Sequence, residues 1–216
     1  MKTILSGILA GISISLGGTV FLLCESKIIG AIFFTVGLFC VCVFGFNLFT
    51  GKICYVFDND AKYALKLPLI WLGNLIGALF TGFIEMQTRL FPSLSEKAVS
   101  VCETKLSQSL LSAFILAFLC DIMIYIAVEG YKSSQHEIGK YLAIFFGVTV
   151  FVICGFEHCV ANMYYFTVGQ AWNLNTALYL LVMTAGNAVG GIFIPLMRKL
   201  IDLKPKTSEV QKEENR

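Results

Sequence analysis

Six long apolar runs, separated by short polar segments, leave this chain little choice but a bundle of membrane-crossing helices. They occupy residues 4–23, 28–57, 67–86, 106–128, 138–169 and 174–200. A helix needs about 20 consecutive apolar residues to cross the hydrocarbon core, and runs one, three, four and six fit single spans. Charged residues make up 14% of the chain, against about 25% in soluble domains, and the mean hydropathy is +0.79. That balance excludes a soluble enzyme or a nucleic-acid-binding module. The first run follows one lysine and lacks a small-x-small cleavage site, so it reads as a retained helix, not a signal peptide.

Runs two and five are too long for one simple span, at about 30 residues each. Both carry interruptions: Gly45, Asn47, Thr50, Gly51 and Lys52 in the former, and Gly155, Glu157, His158 and Asn162 in the latter. A charge at the centre of a bilayer costs roughly 2.5–3.5 kcal/mol on insertion scales, so such groups face protein or water. Irregular backbone at that depth is tolerated where it lines a cavity, and the pattern predicts two discontinuous helices around a transport site. The eight cysteines form no CxxC pair and no His/Cys ligand spacing. They are read as small core residues, with neither a metal nor a cofactor expected.

An internal repeat organises these breaks. Gly45-Phe46-Asn47-Leu48-Phe49-Thr50-Gly51 lines up with Gly155-Phe156-Glu157-His158-Cys159-Val160-Ala161 at an offset of 110 residues. Gly73-Asn74-Leu75-Ile76-Gly77 recurs 113 residues later as Gly186-Asn187-Ala188-Val189-Gly190, and Lys2 is echoed by Lys105 at an offset of 103. Three spans per half is an odd number, so the halves enter the membrane from opposite sides. The expected fold is all-α and polytopic, six transmembrane helices as a 3+3 inverted repeat with helices two and five broken. Its site lies at mid-membrane, where the breaks meet. Residues 1–203 form the membrane domain, with halves of about 1–92 and 93–203, and the polar stretch 204–216 reads as a disordered tail.

With the N-terminus cytoplasmic, the inner segments hold Lys2, Lys62, Lys66, Lys132, Arg198, Lys199, Lys204, Lys206, Lys212 and Arg216. The outer ones hold only Lys27, Arg89, Lys97 and Lys105. That asymmetry places both termini in the cytoplasm and the protein in the inner cell membrane. Residues 93–105 are too polar to span and read as an external loop with at most one short helix.

The paired breaks, with the string Gly155-Phe156-Glu157-His158 followed by Ala161-Asn162-Met163, resemble the formate/nitrite transporter family. The likeness runs from Lys2 to about Leu200. It implies a homopentamer of aquaporin-like protomers, each with its own pore for small monovalent anions of weak acids. By resemblance, Thr50 meets the central His158 across the pore, while Glu157 and Asn162 hold that histidine and the second break. Leu38, Leu48 with its neighbour Phe49, and Phe151 fall on the apolar constriction towards the cytoplasm, Phe34 and Ile124 on the one towards the outside. Lys2 and Lys105 match lysines flanking the two vestibules. The chain departs from the family at Phe46-Asn47, at Lys52 and at Asp121, and its overall look is closer to the hydrosulfide-channel branch.

The residues themselves allow two mechanisms. An anion can stay charged and keep hydrogen bonds to Thr50, His158 and the free N–H groups of the half-helices. Alternatively Lys2 or Lys105 attracts it, the falling dielectric raises its affinity for a proton, and it crosses as the neutral acid. An aquaporin-like pore for neutral solutes, and a membrane enzyme using Glu157 and His158 as acid and base, remain open from sequence. Of the charges without a role, Lys52 in the first turn of a half-helix would oppose its dipole. Asp121 calls for a partner or a protomer contact, and Glu129 reads as ending its span in water.

Overall fold

The computed structural model describes residues 1–202; the expected tail lies outside them. Six helices are long and apolar enough to cross a membrane. They are α1 (Lys2–Leu23), α2 (Lys27–Phe44), α5 (Leu67–Glu85), α7 (Leu110–Ser133), α8 (Glu137–Cys154) and α10 (Leu174–Asp202). Two half-helices, α3 (Phe49–Ile53) and α9 (Cys159–Val168), follow the breaks, and a short α4 (Ala61–Ala64) leads into α5. Large apolar side chains such as Phe33, Phe80, Phe83, Phe146 and Leu181 stand exposed on the outer faces, as a hydrocarbon surrounding requires.

The breaks begin alike. Helices α2 and α8 end on Gly45 (φ 70°) and Gly155 (φ 71°), both left-handed. Phe46 N then bonds back to Val41 O at 2.9 Å and Phe156 N to Phe151 O at 3.0 Å. This helix stop needs a residue without a Cβ penalty, and glycine supplies it at both places. The half-helices differ in length. All ten residues of α9 are buried, whereas α3 stops after five, before the polar stretch Asp58-Asn59-Asp60. Lys52 therefore lies in the last turn of α3, where a cation suits the helix dipole, and not in a first turn that it would oppose.

Helix α1 packs along α5 and α7 along α10, each through a seam of small residues. A Cβ added to Gly77 would lie 2.2 Å from Ile8 O, and one added to Gly190 would lie 2.1 Å from Phe118 O. The helices would have to move apart in either case. We expect Gly77→Ala and Gly190→Ala each to destabilise the fold by about 2–3 kcal/mol, the upper range for overpacking. A lowered melting temperature in detergent checks this; an unchanged one would mean that the seams are looser than drawn.

The expected external loop is a helix, α6 (Phe91–Leu106), sixteen residues long. Pro92 sits in its first turn, and Leu94, Ala98 and Cys102 face inward at spacings of four, packed over α9. That period was present in the sequence beneath a polar composition. Ser109 then caps α7, its Oγ accepting from Ser112 N at 3.1 Å, so Lys105 lies in the last turn of α6.

Candidate functional site

One buried asparagine pins each break from behind. Asn74 of α5 accepts from Phe49 N at 2.8 Å and donates to the carbonyls of Gly7 (2.8 Å) and Asn47 (2.9 Å). Asn187 of α10 accepts from Cys159 N at 2.8 Å and donates to Ala117 O and Glu157 O, both at 2.8 Å. Each satisfies the first N–H of a half-helix, which would otherwise be orphaned in an apolar interior. The matching partners, Gly7 with Ala117, set α1 on α7 at the offset of the breaks, 110 residues. Lys2 is then the repeat mate of Ser112, and its match to Lys105 at 103 residues is corrected. Lys2 is exposed at the start of α1 and lines neither cavity described below.

His158 and Thr50 meet where the breaks face each other. The imidazole Nδ1 accepts from Ala161 N at 3.1 Å, capping α9. That leaves the ring proton on Nε2, which donates to Thr50 Oγ1 at 3.0 Å. The Thr50 hydroxyl hydrogen has no other protein acceptor among the described residues, which leaves it free for a passing solute. Phe151 stacks on the imidazole at 5.7 Å and 16°, and Phe34 meets Phe151 edge-on at 5.9 Å. His158 is only 2% exposed.

Glu157 points away from His158. Its Oε2 accepts from Lys105 Nζ at 2.6 Å and Asn162 Nδ2 at 2.8 Å, and its Oε1 accepts from Gln108 Nε2 at 2.8 Å. The acid is anchored by a buried ion pair and two amides, and makes no hydrogen bond with the histidine. Asn162 also faces Met183 Sδ at 3.0 Å, and its Oδ1 has no partner among the described residues.

Two cavities approach the His158–Thr50 pair from opposite ends. The larger, about 410 Å³, is lined by Lys27, Lys105, Gln108, Leu116, Glu157, His158 and Asn162 under α6. The smaller, about 140 Å³, is lined by Val41, Leu48, Gly51, Lys52, Val128 and Lys132. Phe34, Leu38, Leu48, Phe49, Ile124 and Phe151 are all buried, Phe34 and Phe151 bordering the larger cavity and Leu48 the smaller. Phe151 borders the larger cavity together with Phe34, not the Leu38–Leu48 side to which the family pattern assigned it. Ile124 lies on α7 one turn before Val128, which lines the smaller cavity.

The half-helix N–H groups are less available than their sequence implied. Asn74 occupies Phe49 N, Asn187 occupies Cys159 N and the imidazole occupies Ala161 N. Asp121 is fully buried, and both its oxygens lack a partner among the described residues. A Cβ on Gly191 of α10 would come within 2.5 Å of one of them. Asp121 therefore lies inside its own protomer, fitted where Gly191 leaves room, which corrects the expected partner or protomer contact. Glu129 is not simply solvated either: it accepts from Tyr55 OH at 2.8 Å and pairs with Arg198 at 3.4 Å.

Several contributors escaped sequence reading. Gln108 holds Glu157, and Tyr179 OH holds the Gln108 carbonyl. Lys132 lines the smaller cavity, although only its loop position counted in the sequence. At the far end of α5, Glu85 joins Thr19 Oγ1 (2.7 Å) and Tyr164 OH (2.5 Å), tying α1, α5 and α9 together. Each group comes from helices distant in sequence, and no local spacing announces it.

The model of the formate/nitrite transporter family matches residues 1–200. The chain belongs to the formate/nitrite transporter family. An uncharacterized transporter of Bacillus subtilis (strain 168), YrhG, is 34% identical over 194 residues, covering 80% of this chain and 70% of its own. A probable formate transporter of Methanothermobacter thermautotrophicus is 32% identical over 198 residues, covering 78% and 72%. Among solved structures, a pentameric formate channel with formate bound superposes with a TM-score of 0.76 at 26% identity, covering 94% of this chain and 97% of the channel. The formate/nitrite transporter fold is thus the six-span all-α architecture expected from the repeat, and the protein is a multi-pass membrane protein. Its relatives are transporters and channels, not enzymes.

Proposed function

We propose that the protein is a homopentameric channel for small monovalent anions of weak acids, with hydrosulfide its foremost substrate, and that the anion crosses an apolar septum as the neutral acid. The reading is carried by the His158–Thr50 contact between two lysine-bearing cavities, with the buried apolar side chains Phe34, Leu38, Leu48 and Phe151 read as the septum that parts them. Crossing as a bare charge would forfeit hydration with few donors in return, since three of the half-helix N–H groups, those of Phe49, Cys159 and Ala161, are already occupied. A neutral acid needs only the Thr50 hydroxyl as a passing partner. Hydrogen sulfide is a weaker acid than formic or nitrous acid, so protonation at the mouth costs it least, and its small apolar neutral form suits the septum.

The pentamer is carried over from the formate channel that the chain resembles. Lysine and arginine asymmetry supports cytoplasmic termini in an inner membrane, with Lys105 and α6 outside, residues 1–203 as the channel domain and 204–216 as a cytoplasmic tail.

Liposome flux of hydrosulfide, formate, nitrite and chloride at two pH values tests this reading. We expect weak-acid flux to rise several-fold per unit of acidification while the anion remains mostly ionised, with hydrosulfide fastest and chloride excluded. Formate or nitrite ahead of hydrosulfide would reassign the substrate within the family. Equal flux of chloride and the weak acids would sink the neutral-acid crossing.

A further inference from the structure

The two mouths of the pore are electrostatically unlike. In the larger cavity, Lys105 is paired with Glu157 at 2.6 Å, leaving Lys27 as the uncompensated cation on its lining. The smaller cavity is lined by Lys52 and Lys132 with no carboxylate among its lining residues. Neither lysine makes an ion pair among the described residues. Glu129, three residues before Lys132 on α7, is held by Tyr55 and Arg198. Lys132 Nζ lies 3.5 Å from the Tyr55 ring centroid, a cation–π contact that fixes the ammonium without neutralising it. Lys52 belongs to α3, two residues beyond Thr50, and the cavity floor is Leu48 and Gly51 on either side of that threonine.

From these observations we propose that Lys52 and Lys132 form an anion-recruiting subsite at the smaller mouth, for monovalent anions of a few heavy atoms. It rests on the anion-channel reading above. A volume of about 140 Å³ holds an anion with a few waters, since one water occupies about 30 Å³ of liquid, and excludes bulky organic anions. Two uncompensated positive charges beside low-dielectric walls raise the local anion concentration there. The subsite makes this the high-affinity side, so entry from the Lys52 face half-saturates at a lower concentration than entry from the Lys105 face, while dilute permeability is equal in both directions, as any passive pore requires.

The test uses the full chain in proteoliposomes, sorted by the face that carries an accessible N-terminal tag, with sodium formate and sodium hydrosulfide as probes. We expect Lys52→Gln combined with Lys132→Gln to raise the half-saturating concentration about tenfold for entry from the Lys52 face. Dilute permeability should fall by the same factor in both directions, as a passive pore requires, and the double arginine variant should restore the wild-type values. Should the double variant fail to assemble, wild-type protein gives a second reading. Sub-saturating flux should fall more steeply when ionic strength is raised on the Lys52 side alone than on the Lys105 side alone, as screening of uncompensated charge demands. An equal response to salt added on either side, or an unchanged half-saturating concentration in a well-folded variant, overturns the subsite. Wild-type protein that carries neither probe fails the channel reading itself, a separate outcome.

Discussion

His158→Asn is expected to cut weak-acid flux at least about tenfold while leaving the assembled channel intact. The asparagine oxygen can still accept from Ala161 N, because asparagine is among the best helix caps. It cannot also reach Thr50 with a donor from the opposite break, so the contact at 3.0 Å across the septum is lost. A tenfold change corresponds to about 1.4 kcal/mol, the scale of one hydrogen bond in a buried setting. His158→Ala should lose the same flux and also lower the melting temperature, since it removes the cap, worth about 1 kcal/mol, and the surface on which Phe151 stacks. Comparing both variants in liposome flux and detergent melting separates pore chemistry from folding. Weak-acid flux unaltered in the asparagine variant would remove His158 from the pathway.

The largest effect on folding should come from Asn74 and Asn187. Each carboxamide serves three buried backbone groups, and alanine would orphan one N–H and two carbonyls at once. Unmade buried hydrogen bonds cost about 1–3 kcal/mol each, so a loss of roughly 4–5 kcal/mol is expected for either substitution. Aspartate is the sharper probe. It can still accept from Phe49 N or Cys159 N, but it has no amide hydrogens for the two carbonyls, and it brings a charge to mid-membrane. Asn74→Asp and Asn187→Asp should therefore be no milder than alanine, read as loss of monodisperse protein in detergent. A tolerated aspartate would show that acceptance alone holds the break.

The clamps explain why the repeat motif is Gly-Asn-x-x-Gly and not glycine alone. Gly77 and Gly190 bring the helix pairs into backbone contact, and that approach lets one carboxamide bridge a break, its own helix and a neighbour. The same pseudo-symmetry exposes where the halves diverge. Lys105 belongs to α6, which leads into the second half. Both halves share a backbone bond at the break, Asn47 N to Ser6 O and Glu157 N to Leu116 O, each at 3.3 Å, and the second half adds the Lys105–Glu157 ion pair.

Much of this protein was legible in the sequence. Run length and hydropathy set the number of spans, since a hydrocarbon core admits little else. Gly45 and Gly155 marked the two helix stops, because a left-handed turn is cheap only without a Cβ. The likeness of those breaks to the formate/nitrite transporter pattern implied His158 opposite Thr50, where the structure brings them together. Tertiary structure decided what depends on partners far apart in the chain: that Glu157 serves Lys105 and Gln108 and not the histidine, and that Phe151 sides with Phe34. It likewise showed Asp121 enclosed within its own protomer, and a lysine pair assembled from α3 and α7. The physical reason is range. Solvent preference and backbone sterics act on each residue where it stands, whereas hydrogen bonds and charge pairs are fixed only once packing brings distant helices within about 3 Å.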